Sequence, residues 1–77
     1  MFVTYALRSE KRKYVYVGLT ADFERRFRQH NSGQNKTTKP YRPFRVIYRK
    51  EFETRAEARV EEKRLKSGSG KEFLHSL

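Results

Sequence analysis

Four kinds of side chain in this sequence carry reactivity suited to acid–base, anion-binding or cation-binding chemistry. They are the phenols of Tyr5 and Tyr16, the guanidinium of Arg26, the imidazole of His30 and the carboxylate of Glu62. Taken by type alone, these groups can bind an anion, hold a cation and move protons. A guanidinium binds phosphate oxygens through its planar fork. A carboxylate holds a hard divalent cation. Imidazole exchanges protons near neutral pH. A phenol, with a pKa near 10, does so only beside a cation that favours its ionised form.

Each of these residues also has an ordinary structural use. Tyrosines suit strands and can fill a thin core. Arg26 can be a surface arginine, and His30 a partly buried residue closing a helix. Glu62 can pair with Lys66 four positions on, an interaction of about 0.2–0.5 kcal/mol. The chain has one aspartate, Asp22, and no cysteine. Thiolate metal sites and disulfides are excluded, and a two-metal site, which needs clustered carboxylates, is not expected.

The elements that must position these groups are legible in the hydrophobic pattern. Residues 2–7 alternate as a strand, with Val3, Tyr5 and Leu7 on one side and Phe2, Thr4 and Ala6 on the other. Residues 14–18 form a second strand, with Tyr14 and Tyr16 facing opposite to Val15 and Val17. The charged run Ser9-Glu10-Lys11-Arg12-Lys13 suits a hairpin connection, and Gly18 closes the second strand where another group can approach closely. A helix is predicted from about Ala21 to Asn31, capped by Thr20 and stopped by Gly33, with Phe23 and Phe27 inward and Arg26 and His30 on one flank. Residues 34–43 read as a loop. Residues 44–50 read as a third strand, with Phe44, Val46 and Tyr48 facing opposite to Arg45, Ile47 and Arg49. Thr54 and Glu57 form a capping box for a helix reaching Lys66, whose narrow stripe is Ala58 and Leu65, with Glu62 at its edge. Ser67-Gly68-Ser69-Gly70 reads as a break, and Lys71–Leu77 as a short last helix. The expected fold class is α/β in the α+β sense. It has a small three-stranded antiparallel or mixed sheet flanked by helices, in the order strand, strand, helix, strand, helix, helix, as one domain over residues 1–77.

Charge narrows the choice of partner. The net charge is +10, and residues 1–50 carry 13 basic and 3 acidic side chains while residues 51–77 carry 6 of each. The whole excess therefore lies on the first two-thirds, a field that draws polyanions and above all nucleic acid. Lys11, Arg12 and Lys13 in the hairpin, Arg25 on the first helix, and Lys36, Lys39, Tyr41 and Arg42 in the loop are candidate DNA contacts, with Tyr41 packing on a sugar or base. No apolar run reaches the roughly 20 residues that cross a bilayer, and the first residues lack a signal-peptide layout. A cytoplasmic protein without membrane association is expected.

Three stretches, in order and on the expected elements, resemble the GIY-YIG nuclease family. Val3-Thr4-Tyr5 stands where the family has Gly-Ile-Tyr, and Tyr16-Val17-Gly18 where it has Tyr-Ile-Gly. The tyrosines are 11 positions apart, as in the family's excision-repair members, and Arg26 follows Tyr16 by ten, like the family's helix arginine. Glu57-Ala58-Arg59-Val60-Glu61-Glu62 resembles the stretch whose final glutamate holds the metal, which points to Glu62. The likeness is greatest to short stand-alone bacterial members, which often carry the Arg-Arg-x-x-x-His-Asn stretch seen here as Arg25 to Asn31. The first motif keeps only its tyrosine, and residues 63–77 lack the asparagine that larger members use after the metal glutamate.

The resemblance implies a metal-dependent endonuclease acting on DNA in repair or processing, with one Mg²⁺ or Mn²⁺ on Glu62. Tyr5, Tyr16, Arg26 and His30 are then catalytic and Gly18 structural. Either tyrosine can be the base. A monomer is expected, with DNA, branched or damaged, as partner and a repair protein as a further one. The rival readings are a nucleic-acid-binding module that cuts weakly or not at all, and an adaptor for a repair protein.

Overall fold

The computed structural model describes residues 1–77. Strand β1 (Phe2–Ser9) lies between β2 (Val15–Thr20) and β3 (Phe44–Phe52), and both pairings are antiparallel. Helix α1 (Phe23–Ser32) follows β2, and α2 (Arg55–Lys66) and α3 (Gly68–His75) follow β3. The order is the expected one, and the sheet is wholly antiparallel.

β1 is central because both its faces are apolar. Val3, Tyr5 and Leu7 form one core with Phe23 and Phe44, while Ala6 forms the other with Leu65 and Leu74. The first core packs α1 on one face of the sheet, and the second packs α2 and α3 on the opposite face. Thr4, on the face of Ala6, is buried and donates its hydroxyl to the Ala58 carbonyl at 2.7 Å, which ties β1 to α2. The molecule measures 31 × 27 × 17 Å along its principal axes.

Several boundaries differ from the sequence reading, each for a local reason. β2 begins at Val15 and continues to Thr20, past Gly18. α1 starts at Phe23 with Asp22 as its cap, accepting from the Arg25 N–H at 3.2 Å. Thr20 instead uses its hydroxyl to accept from the Asp22 N–H at 3.0 Å, a turn that stands before the cap. Gly33 stops α1 at φ 82°, as expected.

β3 runs to Phe52 and carries a bulge. Ala6 pairs with Tyr48 but Leu7 with Val46, which leaves Ile47 as the extra residue. Beyond it the alternation reverses, so Tyr48 joins the core of α2 and α3 rather than sharing a face with Phe44.

Ser67 serves two helices: its N–H bonds the Arg64 carbonyl at 3.2 Å, and its side chain caps α3 by accepting from the Gly70 N–H. A helix therefore begins inside the Ser-Gly-Ser-Gly stretch. A Cβ at Gly70 would lie 2.1 Å from the Arg64 carbonyl oxygen, so only glycine allows α3 this close to α2. The predicted capping box at Thr54 and Glu57 is present.

Candidate active site

The site is built around Tyr5. Its register partner on β2 is Gly18. A Cβ on Gly18 would sit 2.5 Å from the Tyr5 hydroxyl and 2.9 Å from the Tyr16 ring, so the missing side chain is the space the phenol occupies. Tyr16, two residues earlier on β2, shares this face of the sheet, with its ring centroid 6.2 Å from that of Tyr5. Tyr5 is fully buried, whereas Tyr16 is half-buried.

α1 supplies the cationic side of the site. Phe23 packs edge-on against Tyr5 at 5.4 Å and Phe27 stacks on Phe23, which fixes how the helix lies on the sheet. His30 is thereby driven into the interior. It is 0% exposed, and its ring centroid is 4.7 Å from Tyr16. Its Nε2 is 3.0 Å from the Tyr5 hydroxyl and its Nδ1 is 2.9 Å from Thr38 Oγ1. Arg26, one turn earlier and half-buried, lines an open cavity of about 350 Å³ with Thr20, Ala21, Asp22, Arg25 and Gln29. Two further open cavities, of about 400 and 290 Å³, continue along α1 past Arg28, Ser32, Gln34 and Asn35. Asp22 is the one acid among all these lining residues.

Burial dominates the electrostatics here. It raises the Tyr5 phenol well above its ordinary value of 10, and Tyr16 raises it further. Arg26 acts in the opposite sense, and Glu62 raises it again. Glu62 belongs to α2, which packs on the other face of the sheet from α1. His30 is held below its ordinary 6.5, by burial first and by Arg26 second.

The two adjacent glutamates of α2 are engaged differently. Glu61 accepts from Arg64 at 2.7 and 2.8 Å and from the Tyr48 hydroxyl, so both its oxygens are occupied. Its carboxyl is lowered to about 2, chiefly by the Arg64 hydrogen bonds, with burial opposing and Tyr48 assisting. Glu62 has one polar partner, Lys66, whose Nζ donates to Oε2 at 3.4 Å. That is the ordinary helical pair the spacing allowed, and it leaves a carboxylate oxygen free to meet a hard cation. No group of three or more His, Asp or Glu side chains is placed to hold a metal ion. A cation at Glu62 would take one carboxylate from this chain and draw its other ligands from elsewhere.

Of the residues singled out in the sequence, Tyr5, Tyr16, Gly18, Arg26 and His30 come together, and Arg25 lines the same cavity as Arg26. The others lie elsewhere, Glu62 on α2 among them. Lys11, Arg12 and Lys13 are exposed in the hairpin, which is held by Ser9 Oγ accepting from the Lys11 and Arg12 N–H groups. Tyr41 stacks on Tyr14 at 3.9 Å, and the Arg12 guanidinium lies 5.9 Å from its ring centroid. Arg42 donates to the Ser32 carbonyl at the end of α1, and Lys36 and Lys39 are exposed. Sequence reasoning missed Thr38 and the polar lining formed by Arg28, Gln29 and Gln34. Thr38 lies in a loop eight positions from His30, and no local periodicity connects the two.

Comparison with known proteins agrees with this geometry. The GIY-YIG catalytic domain family matches residues 1–73. A UPF0213 protein of Cupriavidus necator is 39% identical over 67 residues, covering 82% of this chain and 73% of that protein. A UPF0213 protein of Listeria welshimeri is 43% identical over 68 residues, covering 87% and 74%. One from Haloquadratum walsbyi is 39% identical over 54 residues, covering 69% and 61%. No solved structure matches. With the tyrosine motifs, the helix arginine and the fold in the expected places, the chain belongs to the GIY-YIG nuclease family, alongside its small UPF0213 members.

Proposed function

We infer that this protein is a metal-dependent endonuclease that hydrolyses phosphodiester bonds in DNA, as one domain over residues 1–77 and with a single Mg²⁺ or Mn²⁺. The observation that carries the reading is the Tyr5 hydroxyl, which is buried and hydrogen-bonded to His30 at 3.0 Å, with Tyr16 on the same face of the sheet and Arg26 one helical turn before His30. An acid–base pair with a neighbouring phenol and a phosphate-binding guanidinium is a constellation for phosphoryl transfer.

Burial orders the two phenols. Tyr16, the more accessible, faces the scissile phosphate and orients the attacking water, and Tyr5 stands behind it. Arg26 meets the phosphate oxygens where charge develops. Glu62 would hold the cation, which when bound neutralises charge on the phosphate. The cavities past Arg25, Arg28 and Gln29 give a strand a polar path along α1 to Arg26. DNA repair or processing is the setting in which such an activity belongs, in the cytoplasm, with the monomer as the nicking unit.

The test is nicking of supercoiled and branched DNA with Mn²⁺ or Mg²⁺, with and without chelator. Arg26→Ala should lower kcat by about 10²–10³-fold. Tyr16→Phe should also abolish most nicking, and Glu62→Ala should remove it while leaving DNA binding. Nicking that persists in chelator, or undiminished in Glu62→Ala, overturns the reading. Salt-sensitive binding with no product under any metal would assign the protein as a binding module instead.

A further inference from the structure

The innermost polar contacts of the site form a chain that runs from the buried Tyr5 to the part-buried Asn35. Tyr5 Oη lies 3.0 Å from His30 Nε2, His30 Nδ1 lies 2.9 Å from Thr38 Oγ1, and Thr38 Oγ1 is 3.4 Å from the Asn35 carbonyl. Tyr5, His30 and Thr38 are each 0% exposed. No water can satisfy these groups from outside, so their hydrogens must be arranged among themselves.

Two arrangements are possible in principle, one with the His30 proton on Nδ1 and one with it on Nε2. A phenol is a better donor than an imidazole N–H, and an imidazole nitrogen is a better acceptor than a phenol oxygen. Tyr5 therefore donates to Nε2, which leaves Nδ1 as the protonated nitrogen. Nδ1–H then donates to Thr38 Oγ1. The Thr38 hydroxyl can accept there because its own hydrogen has the Asn35 carbonyl to go to. A hydroxyl is required at this place. A carbonyl or carboxylate could accept but would lack a hydrogen to anchor on Asn35, and an apolar side chain would leave Nδ1–H buried and unpaired.

We propose that Thr38 is a positioning residue that sets the tautomer of His30, so that Nε2 stands ready to take a proton from the buried tyrosine. The inference deepens the hydrolase reading above and rests on it. In the cleavage step an O–H bond of the attacking water breaks, and its proton passes to the Tyr16 oxygen. The Tyr16 proton moves to Tyr5 once substrate draws the two hydroxyls together from rings 6.2 Å apart, and the Tyr5 proton moves to His30 Nε2. The hydroxide so formed makes the new P–O bond as the ester P–O bond breaks, and the leaving oxygen takes a proton from solvent. The imidazolium keeps both its N–H groups paired, one to Tyr5 and one to Thr38. After product departs, its proton returns outward along the same hydroxyls to solvent.

Long-range ¹H–¹⁵N spectra of ring nitrogens read the tautomer without any need for turnover. A His75→Asn variant removes the second histidine signal, which comes from an exposed position in α3. Wild type should show His30 protonated on Nδ1 and bare on Nε2. Thr38→Val should move that proton or mix the tautomers, and Thr38→Ser should restore it. In the nicking assay Thr38→Val should lower kcat by about 10²-fold, the low end of acid–base catalysis, with KM unchanged and with rescue by Thr38→Ser. An Nε2-protonated His30 in wild type overturns the proposal, as does a Thr38→Val protein with unaltered tautomer or unaltered kcat. Should Thr38→Val fail to fold, the wild-type and Thr38→Ser spectra still decide. Should no nicking occur in any variant, the hydrolase reading fails, and the spectra still report separately whether Thr38 sets the ring.

Discussion

Glu61 and Glu62 are chemically identical neighbours that the fold separates by their partners. Tyr48 and Arg64 claim Glu61 and hold its carboxyl down to about 2, while Glu62 has Lys66 alone. The same logic of partners governs His30. Burial, and then Arg26, favour its neutral form in the folded protein. The unfolded chain, with an ordinary histidine near 6.5, binds a proton more readily, so the native state is favoured above that value and loses ground below it. Unfolding free energy from denaturant titrations should therefore fall as pH drops from 6.5 to 5.5, with a slope of at most about 1.4 kcal/mol per pH unit, the one-proton limit. His30→Gln should flatten that interval. A slope of the opposite sign would mean that the protonated ring is the favoured form in the native protein. Glu61 contributes in a separate and more acidic window, between its ordinary 4.5 and about 2.

At the level of elements, close approaches decide what the chain tolerates. Gly68→Ala and Gly70→Ala make the same chemical change two residues apart in α3. The first meets nothing within 4 Å, and the second meets the Arg64 carbonyl at 2.1 Å and the Leu65 backbone at 2.7 Å. Thermal or chemical denaturation should show Gly70→Ala destabilised by about 1–3 kcal/mol, as in overpacked cores. Gly68→Ala should be neutral or stabilised by up to about 1 kcal/mol through the gain in helix propensity. Equal effects would mean that α3 is not seated against α2 as described.

This junction also marks where the sequence was opaque. A Ser-Gly-Ser-Gly stretch reads as a linker because the packing that turns it into a helix lies on another element. The bulge at Ile47 is hidden for a similar reason, since it arises between strands and the alternation of β3 alone gives no sign of it. Thr38 could not be found because it meets His30 only after a loop folds back. What was legible is what local pattern controls: the strand alternation of Val3, Tyr5 and Leu7, the stripe of Phe23 and Phe27, the box at Thr54, and through them the positions of Tyr5, Tyr16, Arg26 and His30.

Over the whole molecule the charge is one-sided. The +10 excess lies entirely within residues 1–50, and α1 presents three arginines along its line of open cavities. DNA affinity should fall steeply with salt, as counterions released from phosphates oppose binding. Replacing Arg25 and Arg28 together by alanine should reduce the magnitude of the log–log salt slope by about 2, one for each phosphate left without its guanidinium. Replacing Lys11 and Lys13 should change it less. An unchanged slope after the α1 substitutions, measured by fluorescence anisotropy, would place the strand on another face.

A body 31 Å long, laid along a duplex that rises about 3.4 Å per step, spans about 9 base pairs. A helical turn takes about 10–10.5, so one copy has a footprint shorter than a single turn. It can press on one side of the double helix and read at most a short word of sequence. If the proposed nicking activity holds, scission of both strands at one locus requires a second encounter or a second copy, and fidelity to any longer address has to come from contacts beyond this surface.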